Sequence, residues 1–313
     1  MKILLLGANG QVGFELLRSL PPLGTLLAAS RDGRLDDGSH GLAVDLGDLD
    51  GLGRVLDAEQ PDVIVNAAAY TGVDKAESEE GVATAINAAG PAALATWAAA
   101  HGALLVHYST DYVFDGRGSR PYRETDATAP LGAYGRSKRA GEEALEASGA
   151  SFMNFRTAWV YGARGHNFLL TMLRLGADRD HLRVVADQVG APTPAHVLAD
   201  ATALAIERWS NAPVAVRAQL LGHFHLVPSG QTSWHGFAEA IFEHAASRRL
   251  IARRPVVEAI GSDQFSTPAR RPAYSVMDNA RFRHSFHWVA PTWQDGLAQV
   301  MDCVAATAIA RTA

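Results

Sequence analysis

The sequence predicts an α/β protein: a doubly wound parallel sheet with a smaller, mainly C-terminal lobe beside it. Three observations carry this. Strand-like and helix-like segments alternate through the first half of the chain. The strand-like segments are apolar on both faces, as strands covered by helices on both sides must be. A glycine-rich turn follows the first strand and opens the first helix.

The elements follow in order. Lys2–Leu6 is a short apolar strand ending in glycine. In Gln11–Leu20, Val12, Leu16 and Leu20 recur every fourth residue and mark one face of a helix. Thr25–Ala29 is the second strand, and a polar loop, Asp32–His40, comes after it. Leu42–Val44 is a strand and Leu49–Leu56 a helix. Val63–Val65 is β-branched throughout, the composition of a central strand. Gly81–Ala100 reads as one alanine-rich helix bent at Pro91. Ala103–Val106 and Phe152–Phe155 are strands flanking a helix, Tyr134–Ala147. Beyond them the pattern is less regular. Asn167–Leu175, Pro194–Glu207, Ser233–Ala246 and Trp293–Val304 are helical, and Phe224–Val227 is a strand expected to rejoin the first sheet.

Composition narrows the classes of function. The chain has 313 residues, 48% hydrophobic and 19% charged, enough to bury a sizeable core. A net charge of −5 argues against a general nucleic-acid surface. The single cysteine, Cys303, cannot form an intrachain disulfide or a cysteine-rich metal site, which points to a reducing, cytoplasmic setting. The most apolar stretch, Ala88–Ala100, is interrupted and falls short of the ~20 residues of a membrane span.

Four motifs carry chemistry. Gly7-Ala8-Asn9-Gly10-Gln11-Val12-Gly13 lies between strand and helix, where glycines let backbone amides approach a pyrophosphate at a helix N-terminus. This makes the sheet Rossmann-like. Ser30-Arg31 stands at the end of the second strand, where NAD-preferring enzymes place an acidic residue. A hydroxyl and a guanidinium suit a 2′-phosphate instead, favouring NADPH, while the following Asp32 leaves NADH possible. Tyr134-Gly135-Arg136-Ser137-Lys138 puts a phenol and an ammonium on one helix face, where the lysine can draw the tyrosine toward a usable acid. Ser109-Thr110-Asp111-Tyr112 follows a strand and offers a hydroxyl for a substrate carbonyl.

Together with Asn66-Ala67-Ala68-Ala69, these motifs resemble the extended short-chain dehydrogenase/reductase family. Within it, several segments resemble the dTDP-4-dehydrorhamnose reductase branch: Asn66–Glu77, Ser109–Gly116, Arg156–Gly162, Asp187–Thr193 and Pro268–Pro272. The resemblance implies NADPH-dependent reduction of the C4 ketone of dTDP-4-dehydro-L-rhamnose, with Thr110, Tyr134 and Lys138 as the catalytic set. It implies cofactor contacts at Gly7, Gly10, Gln11, Val12, Gly13, Ser30, Arg31, Asp45, Leu46, Ala69, Tyr70, Thr71, Tyr108, Tyr134 and Lys138. Thr110, Asp111, Tyr112, Trp159, Asn167 and Arg271 are the expected sugar-nucleotide contacts, Arg271 because a planar guanidinium suits a diphosphate. Residues 1–160 with about 194–230 would form the cofactor domain, and 161–193 with about 231–313 the substrate lobe. Another nucleotide-sugar reductase or epimerase, and a non-catalytic NADP-binding regulatory subunit, are the competing readings. Some relatives pair through magnesium held by glutamates. Glu15, His196 and Gln294 stand at those positions, one carboxylate of three, so no metal is expected and monomer or homodimer stays open. His223 and His225 share a strand face without a neighbouring carboxylate pattern and are likewise not expected to bind metal.

Overall fold

The computed structural model describes residues 1–312. Six strands come first: β1 (Lys2–Leu6), β2 (Thr25–Ser30), β3 (Leu42–Ala43), β4 (Val63–Asn66), β5 (Leu104–Thr110) and β6 (Ser151–Thr157). Four short ones follow: β7 (Val160–Tyr161), β8 (His181–Val185), β9 (Val189–Gly190) and β10 (Thr193–Pro194). Strand β11 (Gly222–His225) then returns to the first sheet, two residues upstream of the expected Phe224–Val227. The sheet has seven strands in the order β3-β2-β1-β4-β5-β6-β11, every neighbouring pair parallel. The order reverses between β1 and β4, and the crevice at their carboxyl ends is where ligands of such sheets bind.

The helices are α1 (Gln11–Ser19), α2 (Leu49–Glu59), α3 (Val73–Ala76), α4 (Glu80–Thr84), α5 (Gly90–His101) and α6 (Ala133–Ala147), then α7 (Phe168–Asp178), α8 (Ala195–Asn211), α9 (Val214–Arg217), α10 (Trp234–Ser247), α11 (Ala280–Phe286) and α12 (Trp293–Thr312). Alternation along β1 sends Ile3 and Leu5 to one face, against Leu16 of α1 and Leu198 of α8. Leu4 and Leu6 go to the other, against Leu52 of α2, Leu94 of α5 and Leu145 of α6. A separate core joins α7, α10 and α12 through Leu169, Met172, Phe237, Phe242 and Leu297. Beside it β8 pairs in parallel with β13 (Val256–Ile260), and β9 runs antiparallel to β12 (Thr232–Ser233).

Two differences from the sequence reading have clear causes. The expected helix 81–100 is broken, at residues 85–89 and not at Pro91: a π-helical turn separates α4 from α5. Pro91 sits in the first turn of α5, directly after the π turn. The π turn aims the buried Asn87 at Tyr70, whose backbone N–H it accepts at 2.9 Å and whose carbonyl it donates to at 3.0 Å. Helix α11 falls within the range 231–313 assigned to the second lobe. Its Phe282 and Phe286 pack instead on Phe155 and Phe224 of the large sheet. Ala313, the end of that range, lies outside the described residues.

Candidate active site

A groove of about 810 Å³ runs along the carboxyl ends of β1, β2, β4 and β5. The glycine turn forms one wall. Gly7 has φ of +80°, which only glycine adopts without strain, and an added Cβ there would lie 2.7 Å from the Ala68 nitrogen. A Cβ on Gly13 would sit 2.0 Å from the Gly7 carbonyl oxygen, so this glycine serves close packing behind the turn and does not line the groove. The first-turn amides of α1, from Gln11 onward, have no intrahelical acceptor and carry the positive end of the helix dipole.

At the outer end, Ser30, Arg31, Asp45 and Leu46 line the groove. The Ser30 hydroxyl donates to the Arg34 carbonyl at 2.8 Å. The Arg31 side chain is 79% exposed and its Nε lies 4.0 Å from an Asp45 carboxylate oxygen, a loose pairing that leaves the guanidinium accessible. Asp32 also lines the groove, and the Arg34 amide holds its carboxyl below the usual carboxylate range. Asn9 was not anticipated. It spans to the Asp32–His40 loop, donating to the Arg34 carbonyl and accepting from the Asp36 amide.

At the inner end, Ala69, Thr71, Tyr108, Tyr134 and Lys138 line the groove. Tyr70 does not: its hydroxyl donates to Glu79 at 2.9 Å, outside the groove. Tyr134 lies in the first turn of α6. Burial pushes its phenol up to about 12, partly offset by the nearby Thr110 hydroxyl, which itself does not line the groove. The Thr110 hydroxyl donates to Asp111 at 3.0 Å, and burial raises the Asp111 carboxyl to about 6. The ring of Tyr112 packs edge-on against Tyr134, centroids 5.5 Å apart. The expected action of Lys138 on the phenol is not what the structure displays. Lys138 is buried, burial lowers its ammonium to about 8, and its Nζ faces Nε2 of His107 at 3.2 Å.

Among the expected sugar contacts, Trp159 adopts φ of +50°, strained for a tryptophan, and stacks on Trp234 with ring centroids 3.6 Å apart. Arg271 donates to the Asp74 carboxylate at 3.0 Å, so its charge is already partnered. Asn167 is committed elsewhere. It caps α7 by accepting from Leu170 N–H, and its Nδ2 donates to Gln11 Oε1 at 2.8 Å and to the Gly162 and Arg164 carbonyls. Both ends of the amide are used, so Asn167 ties α7 to the glycine turn.

Helix α6 is fixed by a buried ion pair. Arg156 of β6 donates to Glu142 through Nε at 2.8 Å and a terminal nitrogen at 2.7 Å. Glu142, Glu146 and His223 bring three potential ligand atoms within 4.8 Å, a cluster invisible in the sequence. Arg156 and Arg139 already occupy its carboxylates. His196, one of the positions compared with a magnesium ligand, instead hydrogen-bonds Gln299 at 2.8 Å.

The strand order, the G-x-x-G-x-x-G turn and a Tyr-x-x-x-Lys helix facing one groove define the class: an extended short-chain dehydrogenase/reductase. Residues 1–306 match the family model described as the RmlD substrate binding domain, and the chain belongs to that family. It is 45% identical to the dTDP-4-dehydrorhamnose reductase of Shigella flexneri over 302 residues, covering 96% of this chain and 97% of the relative. A crystal structure of a dTDP-4-dehydrorhamnose reductase from Clostridium acetobutylicum superposes with a TM-score of 0.84 at 34% identity, over 97% of this chain and 99% of that one. The Bacillus anthracis dTDP-4-dehydrorhamnose reductase, solved in complex with NADP, gives a TM-score of 0.82 at 32% identity, over 96% and 98%.

Proposed function

We propose that the protein is a dTDP-4-dehydrorhamnose reductase, reducing the C4 ketone of dTDP-4-dehydro-L-rhamnose to dTDP-L-rhamnose with NADPH. The observation that carries the reading is one groove walled by the glycine turn at one end and lined by Tyr134 and Lys138 at the other. The groove fits the cofactor. Added Cβ atoms on Gly7 and Gly13 would collide with backbone, α1 presents its free amides, and Arg31 offers an accessible cation for a 2′-phosphate.

NADPH, when bound, supplies the hydride. The residues of this chain do the rest. Thr110, turning its hydroxyl hydrogen from Asp111, donates to the carbonyl oxygen and orients it. Tyr134 gives its proton to that oxygen as negative charge develops there. A phenol held near 12 is a weak acid toward solvent, but an alkoxide is a stronger base than a phenolate, so the transfer runs downhill. Lys138 holds a cationic site one helical turn from the phenol. Asp111, Tyr112 and Trp159 form the sugar side, with Arg271 toward the nucleotide diphosphate after release from Asp74. The lone cysteine is exposed at Cys303, in keeping with a cytoplasmic enzyme. No helix among the described residues is long and apolar enough to cross a membrane.

The test is a coupled pair of measurements: NADPH oxidation with dTDP-4-dehydro-L-rhamnose, and NADP binding by calorimetry. Binding without oxidation would move the reading to a regulatory, non-catalytic subunit.

A further inference from the structure

Asn66, His107 and Lys138 form a buried chain that none of the motifs announces. Their exposures are 1%, 1% and 2%. Asn66 lies at the end of β4, His107 within β5 and Lys138 on α6. Nζ of Lys138 lies 3.2 Å from Nε2 of His107, and Nδ1 of His107 lies 3.1 Å from Nδ2 of Asn66. The backbone N–H of Ala68, which lines the groove, donates to Oδ1 of Asn66 at 3.2 Å.

The hydrogens in this chain can be counted. The Ala68 N–H fixes Oδ1, so the NH2 of Asn66 faces the imidazole. An amide NH2 only donates, so Nδ1 of His107 must carry the lone pair. A neutral imidazole then has its hydrogen on Nε2, pointing at Lys138, and the matching partner is an amine lone pair. A lysine ammonium needs the opposite arrangement: lone pair on Nε2, hydrogen on Nδ1, and an Asn66 amide turned to present its oxygen. Turning it sets the NH2 against the Ala68 N–H and breaks that hydrogen bond. An imidazolium sets a second hydrogen, on Nδ1, against the Asn66 NH2, and burial, Lys138 and His223 all disfavour it.

We propose that His107 is a positioning residue for Lys138, whose tautomer makes the lysine charge and the Asn66–Ala68 hydrogen bond alternatives. The inference rests on the reading of Lys138 as part of the reaction's machinery. Its purpose is to keep a buried lysine's proton exchangeable near neutral pH, next to a phenol that must regain a proton in every turnover. The surrounding groups divide: burial opposes the ammonium, Glu142 on the same helix favours it, and Arg156 on β6 occupies Glu142. From β11, His223 acts on His107 and not on Lys138. Burial leaves Lys138 close to balance, at about 8.

The test uses the full chain with nitrogen-15-labelled histidine, free and with NADP bound, from about pH 6 to about pH 10, with His107→Gln to assign the resonances. The proposal expects His107 to carry its hydrogen on Nε2 at high pH and on Nδ1 at low pH. The crossover should coincide with the basic limb of the kcat profile. A single tautomer throughout, or an imidazolium at low pH, overturns it. In His107→Gln the amide can offer its oxygen to the ammonium freely, so the basic limb should rise by about one pH unit, a tenfold change in proton affinity. A lowered kcat with an unmoved limb assigns His107 to packing alone and overturns the proposal. If that variant does not fold, the wild-type tautomer measurement decides. If no nucleotide sugar is turned over, the proposed function fails, while the tautomer crossover still decides this inference.

Discussion

Replacing Arg156 with Met isolates the buried ion pair that holds the Tyr134 helix to the sheet. Arg156 and Glu142 are 3% and 0% exposed and joined by two hydrogen bonds of 2.7 and 2.8 Å. Removing one partner of such a pair strands the other's charge and costs about 3–5 kcal/mol. With an m-value of about 3 kcal/mol/M, the urea midpoint should fall by on the order of 1 M. The pH dependence supplies a second signature. Burial pushes the Glu142 carboxyl up, but Arg156 more than offsets this and holds it at about 2, against an ordinary 4.5. Because the folded value is depressed, the ionised group contributes stability above the ordinary value, on the order of 3 kcal/mol, lost as pH falls toward about 2. In the variant, buried Glu142 keeps only Arg139 at 3.2 Å and Asn154 at 3.1 Å, so its carboxyl rises from the depressed wild-type value and acidification from neutrality helps the variant relative to wild type. The stability gap should therefore narrow between about pH 7 and pH 5. Replacing Glu142 with Leu in the same chain should recover most of the loss, since well-packed apolar pairs often match buried ion pairs. A single-variant cost below about 1 kcal/mol, or a gap that does not narrow in acid, would refute the reasoning.

Three further perturbations bear on the groove. Tyr134→Phe should lower kcat by about 10²–10⁴-fold and leave NADPH affinity nearly unchanged in calorimetry; wild-type rates would sink the proton-donor role. Arg31→Ala should raise the Michaelis constant for NADPH more than for NADH, and equal effects would remove Arg31 from the 2′-phosphate. Asn167→Ala should lower stability by about 1 kcal/mol through the lost α7 cap. It should also weaken NADPH binding through Gln11, with the sugar Michaelis constant little changed; a change confined to the sugar would restore Asn167 as a substrate contact.

Local patterns made most of the sheet legible. The apolar runs of Lys2–Leu6 and Val63–Val65, with glycines after the first, place the groove because strand period and turn chemistry are short-range signals. Phe224–Val227 was likewise identifiable as a strand, off by two residues where a strand's start depends on its partner β6 and not on composition. What escaped depends on contacts distant in sequence. The commitment of Asn167 to Gln11 spans 156 positions, and that of Arg271 to Asp74 spans 197. His107 reads as one polar residue in an apolar strand until α6 brings Lys138 beside it. The π turn at residues 85–89 has no compositional mark, since alanines suit either helix, and the hydrogen bonds of its Asn87 reach Tyr70 and Ser137, 17 and 50 positions away. Phe282 and Phe286 look like any amphipathic pair, and the sheet face they cover is chosen by tertiary packing.

The central claim is that Tyr134 protonates, and Thr110 orients, the oxygen of a nucleotide-sugar ketone in a groove made for NADPH. The most direct measurement follows absorbance of the reduced nicotinamide with dTDP-4-dehydro-L-rhamnose, and carbon-13 NMR of the product. The account predicts stoichiometric oxidation of NADPH and a secondary alcohol at C4, both lost in Tyr134→Phe. Tight NADP binding with no oxidation of NADPH by this substrate would contradict it.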